Sequence, residues 1–195
     1  MTDLTKPSDE TLLRRSATGD EEAFLALYRR RQVGIYRFAL RMSGSEAIAE
    51  EVTQDVFMTV IREGKRFDES RGTATAYLFG VARNQVLKLL EKNRAYVGLD
   101  DGAEEMPAGS EDVLANLTRA ETVENVRKAV LELPALYREA VVMCDLEEMT
   151  YAEASEALLA PIGTVRSRIP RGRAILFQKL SRRGSQGSDS LRCFA

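Results

Sequence analysis

Arg166, Arg168, Arg171 and Arg173 recur within one short stretch, with Thr164 and Ser167 interleaved. Arginine carries a planar fork of donors that can engage both acceptors of a guanine edge or two phosphate oxygens. A hydroxyl near a helix start can donate to phosphate. Lysine would serve on a merely solvated face, yet all four cations from Arg166 to Arg173 are arginine. The chemistry on offer is hydrogen-bonding recognition of nucleic acid. The plainer alternative is a solvated, membrane-surface or partner-binding basic helix, and spacing alone does not separate the two.

Two helices and a turn must position those arginines. Thr150 followed by Glu153 makes a capping-box pattern at the start of an Ala-rich helix with Ala154, Ala157 and Leu158 on its apolar side. Pro161 and Gly163 interrupt any single helix. Val165, Ile169, Leu176 and Leu180 then fall on one face at helical spacing, with Gly172 on the same stripe. A short helix, a tight turn and a second helix with arginines outside its buried stripe describe a helix-turn-helix. In that motif the second helix lies in the DNA major groove.

The whole chain narrows the possibilities. Its 195 residues can hold one large or two small domains, and 44% hydrophobic content supports a real core. No segment approaches the ~20 apolar residues of a membrane span, and the polar start MTDLTKPSDE is no secretory signal. Two cysteines, Cys144 and Cys193, point to a reducing compartment without a disulfide framework. Cys144 reads as a small buried hydrophobe. Histidine is absent altogether, which removes the commonest general base and the commonest zinc ligand and makes enzymatic chemistry a poor fit. Charge is segregated: from Pro161 onward eight arginines and lysines face Asp189 alone. From Leu99 to Ala160 fifteen acids face Arg119, Arg127, Lys128 and Arg138. A basic end is an electrostatic footprint for nucleic acid, and an acidic middle can screen non-specific binding or dock onto a basic partner.

Earlier in the chain the pattern is helical throughout. Ser8, Asp20 and Ser45 are N-caps for helices reaching about Thr18, Met42 and Glu63, with Gly19, Gly44 and Gly64 as stops. A loop, Lys65 to Thr73, leads to a fourth helix over about Ala74 to Asn93. Cations, amides and aromatic rings beside a loop suit single-stranded nucleic acid, where bases stack on rings. Ordinary core is the alternative for Phe67, Tyr77 and Phe79, and for Phe79 the better one. Tyr96 to Gly109 reads as an acidic linker, helices resume from about Ser110, and Pro134 opens a helix at its tolerant first turn. The tail from Arg182 reads as disordered. The expected fold class is all-α: two small helical domains on a flexible acidic linker.

The segments GDEEAFLALYRR, AEEVTQDVFMTVI followed by FD, AYLFGVARN, LPALYREAVVM and YAEASEALLAPIGTVRSRIPRGR, in this order, resemble a sigma-70-type RNA polymerase sigma factor of the extracytoplasmic-function (ECF) group. The resemblance covers roughly Ser8 to Arg183. It implies a region 2 domain over 8–95, a linker over 96–110, a region 4 domain over 111–183 and a tail over 184–195. It implies a non-enzymatic cytoplasmic protein, with no cofactor or metal, that gives core RNA polymerase its promoter choice. Glu51, Gln54 and Asp55 would face the clamp helices of the largest subunit, and the flap would be a further contact. Phe67, Asp68, Arg71, Tyr77, Arg83, Asn84 and Lys88 would hold the melted downstream (minus-ten) element. Thr164, Val165, Arg166, Ser167, Arg168, Arg171 and Arg173 would read the duplex upstream (minus-thirty-five) element. An anti-sigma factor would be a further partner, with no membrane insertion.

Departures from the family pattern carry expectations of their own. Pro170 stands where a bulky apolar residue is usual, and Gly172 where alanine is. An interior proline costs about 3 kcal/mol and an interior glycine about 1, so the recognition helix is expected to kink or end near Ile169. Leu159 replaces the turn glycine, Ala154 and Ala157 replace isoleucines, and looser packing is expected there. Tyr77 replaces a tryptophan. Two other classes remain open: a sigma mimic that sequesters an anti-sigma factor, and a helix-turn-helix transcription regulator.

Overall fold

Ser8 opens the first helix because its Oγ accepts the Thr11 N–H at 3.2 Å, satisfying one of the donors that every helix start leaves free. Asp20 does the same for Ala23 at 2.9 Å, and Ser45 for Ile48 at 3.4 Å. These caps begin α1 (Asp9–Ala17), α2 (Glu21–Ser43) and α3 (Glu46–Glu63). Gly44 closes α2 in the left-handed region at φ 75°. The computed structural model describes residues 6–97 and 115–190. The linker read at Tyr96 to Gly109 therefore lies largely outside the described residues, as do residues 191–195 of the tail.

Two short 3₁₀ turns, Gly64–Arg66 and Glu69–Arg71, shape the loop before α4 (Ala74–Val97). The start of α4 is capped from a distance: the Ala74 N–H donates to Glu10 at 3.1 Å. Burial raises the Glu10 pKa, but the backbone N–H donors of Glu10 and Ala74 more than offset this and leave it lowered. Leu12, Leu27, Phe38, Val52, Val56 and Leu78 fill the centre of this four-helix domain. Phe79 packs edge-on to Phe38, ring centroids 5.5 Å apart, and is core as expected.

The second domain comprises α5 (Ala115–Leu131), α6 (Ala135–Val141), α7 (Tyr151–Ala157) and α8 (Ile162–Ser190). A π-helical turn, Val142–Leu146, extends α6. The Thr150–Glu153 capping box forms in both directions. Leu159 makes the turn at φ 50°, a left-handed conformation in which a leucine is strained, and is 84% exposed. Val165 and Ile169 are buried against Ala154, Ala157 and Leu158, so the stripe read from the sequence packs inward.

One expectation is corrected: the recognition helix does not end at Ile169, because α8 runs through Pro170 to Ser190. Pro170 is exposed, while Val165, Ile169 and Gly172 are buried on both sides of it and fix the helix. α8 includes the backbone of residues 184–190.

The two domains pack on each other, α4 against α7 and α2 against α5. Small residues permit the approach: a Cβ on Gly80 would lie 3.6 Å from the Cα of Ala157, and one on Gly44 2.9 Å from Leu131 Cδ1. The buried side chains of both domains form one continuous cluster.

Candidate nucleic-acid and polymerase interfaces

The loop between α3 and α4 builds a concave site. Phe67 and Tyr77 stack obliquely, ring centroids 5.5 Å apart at 56°. Asp68 caps the second 3₁₀ turn, accepting from the Ser70 N–H at 2.9 Å and the Ser70 hydroxyl at 2.7 Å. Those bonds lower its pKa, the hydroxyl contributing most. Asp68 thus shapes the loop. Burial, with Glu63 nearby, pushes the Tyr77 phenol upward and keeps it a neutral donor. Phe67, Asp68, Arg71, Tyr77 and Asn84 share one cavity of about 300 Å³. It can take a planar ring against an aromatic face, with a guanidinium and an amide at its rim.

Two downstream candidates lie apart from that cavity. Lys88 is exposed one turn further along α4. Arg83 turns toward the second domain, its Nε 3.2 Å from Glu139 Oε1. Glu139 is 2% exposed and was not among the residues singled out from sequence. Its signal is faint: an acid one step before the apolar run Ala140–Met143, in a position that periodicity alone would leave half outward.

On α8 the arginines divide. Arg166 and Arg171 are exposed and Arg168 is half-buried, all beyond the stripe that holds the helix down. Thr164 and Ser167 flank them at the helix start, where the Ser167 hydroxyl donates to the Thr164 carbonyl at 2.9 Å. Val165 is 0% exposed, so it anchors the helix in the core and cannot touch a ligand. Arg173 is already engaged: its Nε and Nη2 donate to Asp145 at 2.9 and 2.5 Å. That carboxylate holds its pKa above the ordinary arginine value.

Glu51, Gln54 and Asp55 lie at i, i+3 and i+4 on α3, with Glu51 and Gln54 exposed and Asp55 half-buried. Gln54 also borders an apolar groove of about 560 Å³ between α2 and α3, lined by Phe24, Tyr28, Tyr36 and Phe57. Among the described residues no group of acids and cysteines is arranged to hold a metal ion. No helix there is long and apolar enough to cross a membrane.

Residues 27–96 match the family model for sigma-70 region 2, and residues 124–176 that for sigma-70 region 4. The chain is 31% identical to the ECF RNA polymerase sigma factor SigE of Mycolicibacterium smegmatis, covering 96% of this chain and 75% of that protein. It is 29% identical to the ECF RNA polymerase sigma factor SigW of Bacillus subtilis over 83% of this chain and 91% of the relative. The fold superposes on CnrH in complex with the cytosolic domain of CnrY with a TM-score of 0.69 at 26% identity, covering 90% of this chain and 98% of that one. The sigma factor RpoE, in complex with the anti-sigma factor NepR from Bartonella quintana, shares the fold at 24% identity and a TM-score of 0.66, covering 83% and 97%. Two regional matches in the order read from the sequence, together with a relative matched over nearly the full chain, place this protein in the ECF group of sigma-70-type RNA polymerase sigma factors.

Proposed function

We propose that this ECF sigma factor divides its work among three surfaces. Glu51, Gln54 and Asp55 on α3 receive the clamp helices of core RNA polymerase, an acidic face suited to a basic coiled coil. The Phe67–Tyr77 cavity, with Arg71 and Asn84, captures an unstacked base of the downstream element. Capture there stabilises strand separation without nucleotide hydrolysis. Arg166, Arg168 and Arg171, with Thr164 and Ser167, read the upstream duplex from the major groove. The protein is cytoplasmic and performs no catalysis of its own.

One observation carries the reading. Val165 and Ile169 are core while Arg166 and Arg171 face solvent, the division a groove-reading helix requires. α8 continues across Pro170 and carries these arginines outward, a surface that a sigma mimic would not require. Control by an anti-sigma factor belongs to the same reading: the Bartonella RpoE was solved in complex with the anti-sigma factor NepR, and CnrH in complex with the cytosolic domain of CnrY.

Run-off transcription with purified core polymerase on a genomic promoter library tests it. Template-specific initiation that depends on this chain is the expected result. Unaltered core activity at saturating protein would overturn it.

A further inference from the structure

α1 lies ahead of residues 27–96, the stretch that matches sigma-70 region 2, and none of the three surfaces proposed above includes it. It is anchored without help from the α3–α4 loop. Leu12 and Leu13 are buried in the core, and Asp9, 9% exposed, is held by Arg30 at 3.1 Å and by Arg31. Arg30 also donates to the Pro7 carbonyl at 2.8 Å, so α1 is fixed to α2.

From that footing α1 touches the loop three times. A Cβ on Gly64, where the loop begins, would lie 3.0 Å from the Ala17 Cβ and 3.8 Å from Leu13 Cδ2. Gly64 has an ordinary helical φ of −58°, so close approach, not backbone conformation, is what calls for a glycine there. Midway, Arg14 Nη2 lies 3.2 Å from Glu69 Oε1, an exposed pair of little energetic weight. At the loop's end, Glu10 Oε1 accepts the Ala74 N–H at 3.1 Å. Glu10, Arg14 and Ala17 stand at i, i+4 and i+7, one stripe of a nine-residue helix. The loop therefore runs antiparallel along α1. Ser8, Glu10 and Arg14 line a cavity of about 600 Å³, Phe67, Tyr77 and Asn84 line the base-sized one, and Arg71 borders both.

The Glu10 bond is more than α4 needs to begin. Thr73 already caps that helix: its hydroxyl accepts the Ala76 N–H at 3.1 Å and its carbonyl the Tyr77 N–H at 3.0 Å. The Ala74 bond instead spans 64 residues of sequence, and what it adds is the placement of the loop's end against α1. We infer that Glu10 and the Ala17–Gly64 contact are positioning elements for base capture: α1 splints the loop at both ends and holds Arg71 and the Phe67–Tyr77 pair in the shape that receives an unstacked base. The inference rests on the reading of the loop as the single-strand site. Glu10 touches no nucleotide in this arrangement and acts through Ala74. The fraction of loop in the competent shape scales the affinity for the base, so loosening either end lowers capture and leaves the recruiting contacts alone.

Holoenzyme assembled from core polymerase and the full chain, on a duplex promoter recovered from the run-off library, provides the test. Footprinting of the upstream element reads recruitment, and permanganate reactivity of downstream thymines at equal occupancy reads capture. Glu10→Ala should lower reactivity about tenfold, the change one charge-assisted hydrogen bond carries, with occupancy unaltered. Glu10→Gln keeps an acceptor for the Ala74 N–H and should retain most of the reactivity. Gly64→Ala should behave like Glu10→Ala. Adding Ala17→Gly to it moves one methyl across the same contact, and should restore reactivity while the chain still melts below the parent. Ile48→Val, a core change at the end of α3 away from the loop, lowers stability alone and should leave reactivity intact. Full reactivity in Glu10→Ala, an equal loss in Glu10→Gln, or a Gly64→Ala loss that Ala17→Gly does not recover each overturns the splint. Arg71→Ala with Asn84→Ala reports on the loop reading separately. Reactivity lost there but kept in Glu10→Ala sinks the splint alone, and reactivity kept there overturns both.

Discussion

Gly172 on α8 lies so close to Val141 on α6 that a Cβ added to it would come 2.6 Å from Val141 Cγ2, with Tyr137 Cβ at 3.3 Å. The glycine is therefore what lets the recognition helix seat on α6. Gly172→Ala removes a helix penalty of about 1 kcal/mol but forces overpacking of about 1–3 kcal/mol. Net destabilisation of roughly 1 kcal/mol is expected in urea unfolding. Stabilisation would show that α6 yields freely.

Pro170 obeys the opposite logic. It is exposed inside a continuous helix, with one backbone bond forgone. Pro170→Ala should raise stability by up to about 3 kcal/mol and leave strand binding by the first domain unchanged. A lower melting temperature would contradict this.

Leu159 holds a left-handed turn with its side chain in solvent. Leu159→Gly should relieve about 1 kcal/mol of backbone strain, seen as a higher melting temperature. The gain should persist at high salt, because no charge is involved.

Arg83 and Arg168 separate two effects that activity assays merge. Arg83→Ala leaves Glu139 buried without its cation, an expected loss of roughly 3 kcal/mol in stability. Arg168→Ala breaks no ion pair among the described contacts and should leave stability alone, while costing ~1–3 kcal/mol in upstream-duplex binding. Equal stability of the two variants would refute the placement of Arg83.

Cys144 has its thiol pushed up to about 11, by burial first and then by Asp145. Its ordinary value is 9.0, so the fold favours the protonated form. That contribution to stability is complete below pH 9 and is lost as pH rises toward 11. In a Cys193→Ser chain, alkylation at neutral pH should be slow when folded and fast in urea. Rapid labelling of the folded chain would contradict it.

Much of this architecture was legible in local sequence. Ser8, Asp20, Ser45 and Thr150 announce helix starts through side-chain oxygens that reach only three residues ahead, so no distant information is needed. Val165 and Ile169 declare a buried face by spacing alone. What stayed hidden depends on partners far along the chain. Glu147 meets Arg37 and Arg41 across more than a hundred residues, and no periodicity reports that pairing. Gly172 reads as a helix defect until Val141 is seen against it. Arg173 belongs to the same basic run as Arg168, and only the fold discloses that Asp145 already holds it.

The division of labour between the two DNA surfaces is tested most directly by permanganate reactivity of downstream-element thymines, with core polymerase and the chain on a duplex promoter. Arg71→Ala with Asn84→Ala should leave polymerase recruitment intact and abolish reactivity. Arg168→Ala should weaken recruitment, with reactivity regained at higher protein concentration. Full thymine reactivity in the Arg71, Asn84 variant, or none with the unaltered chain on a promoter it occupies, would contradict the account.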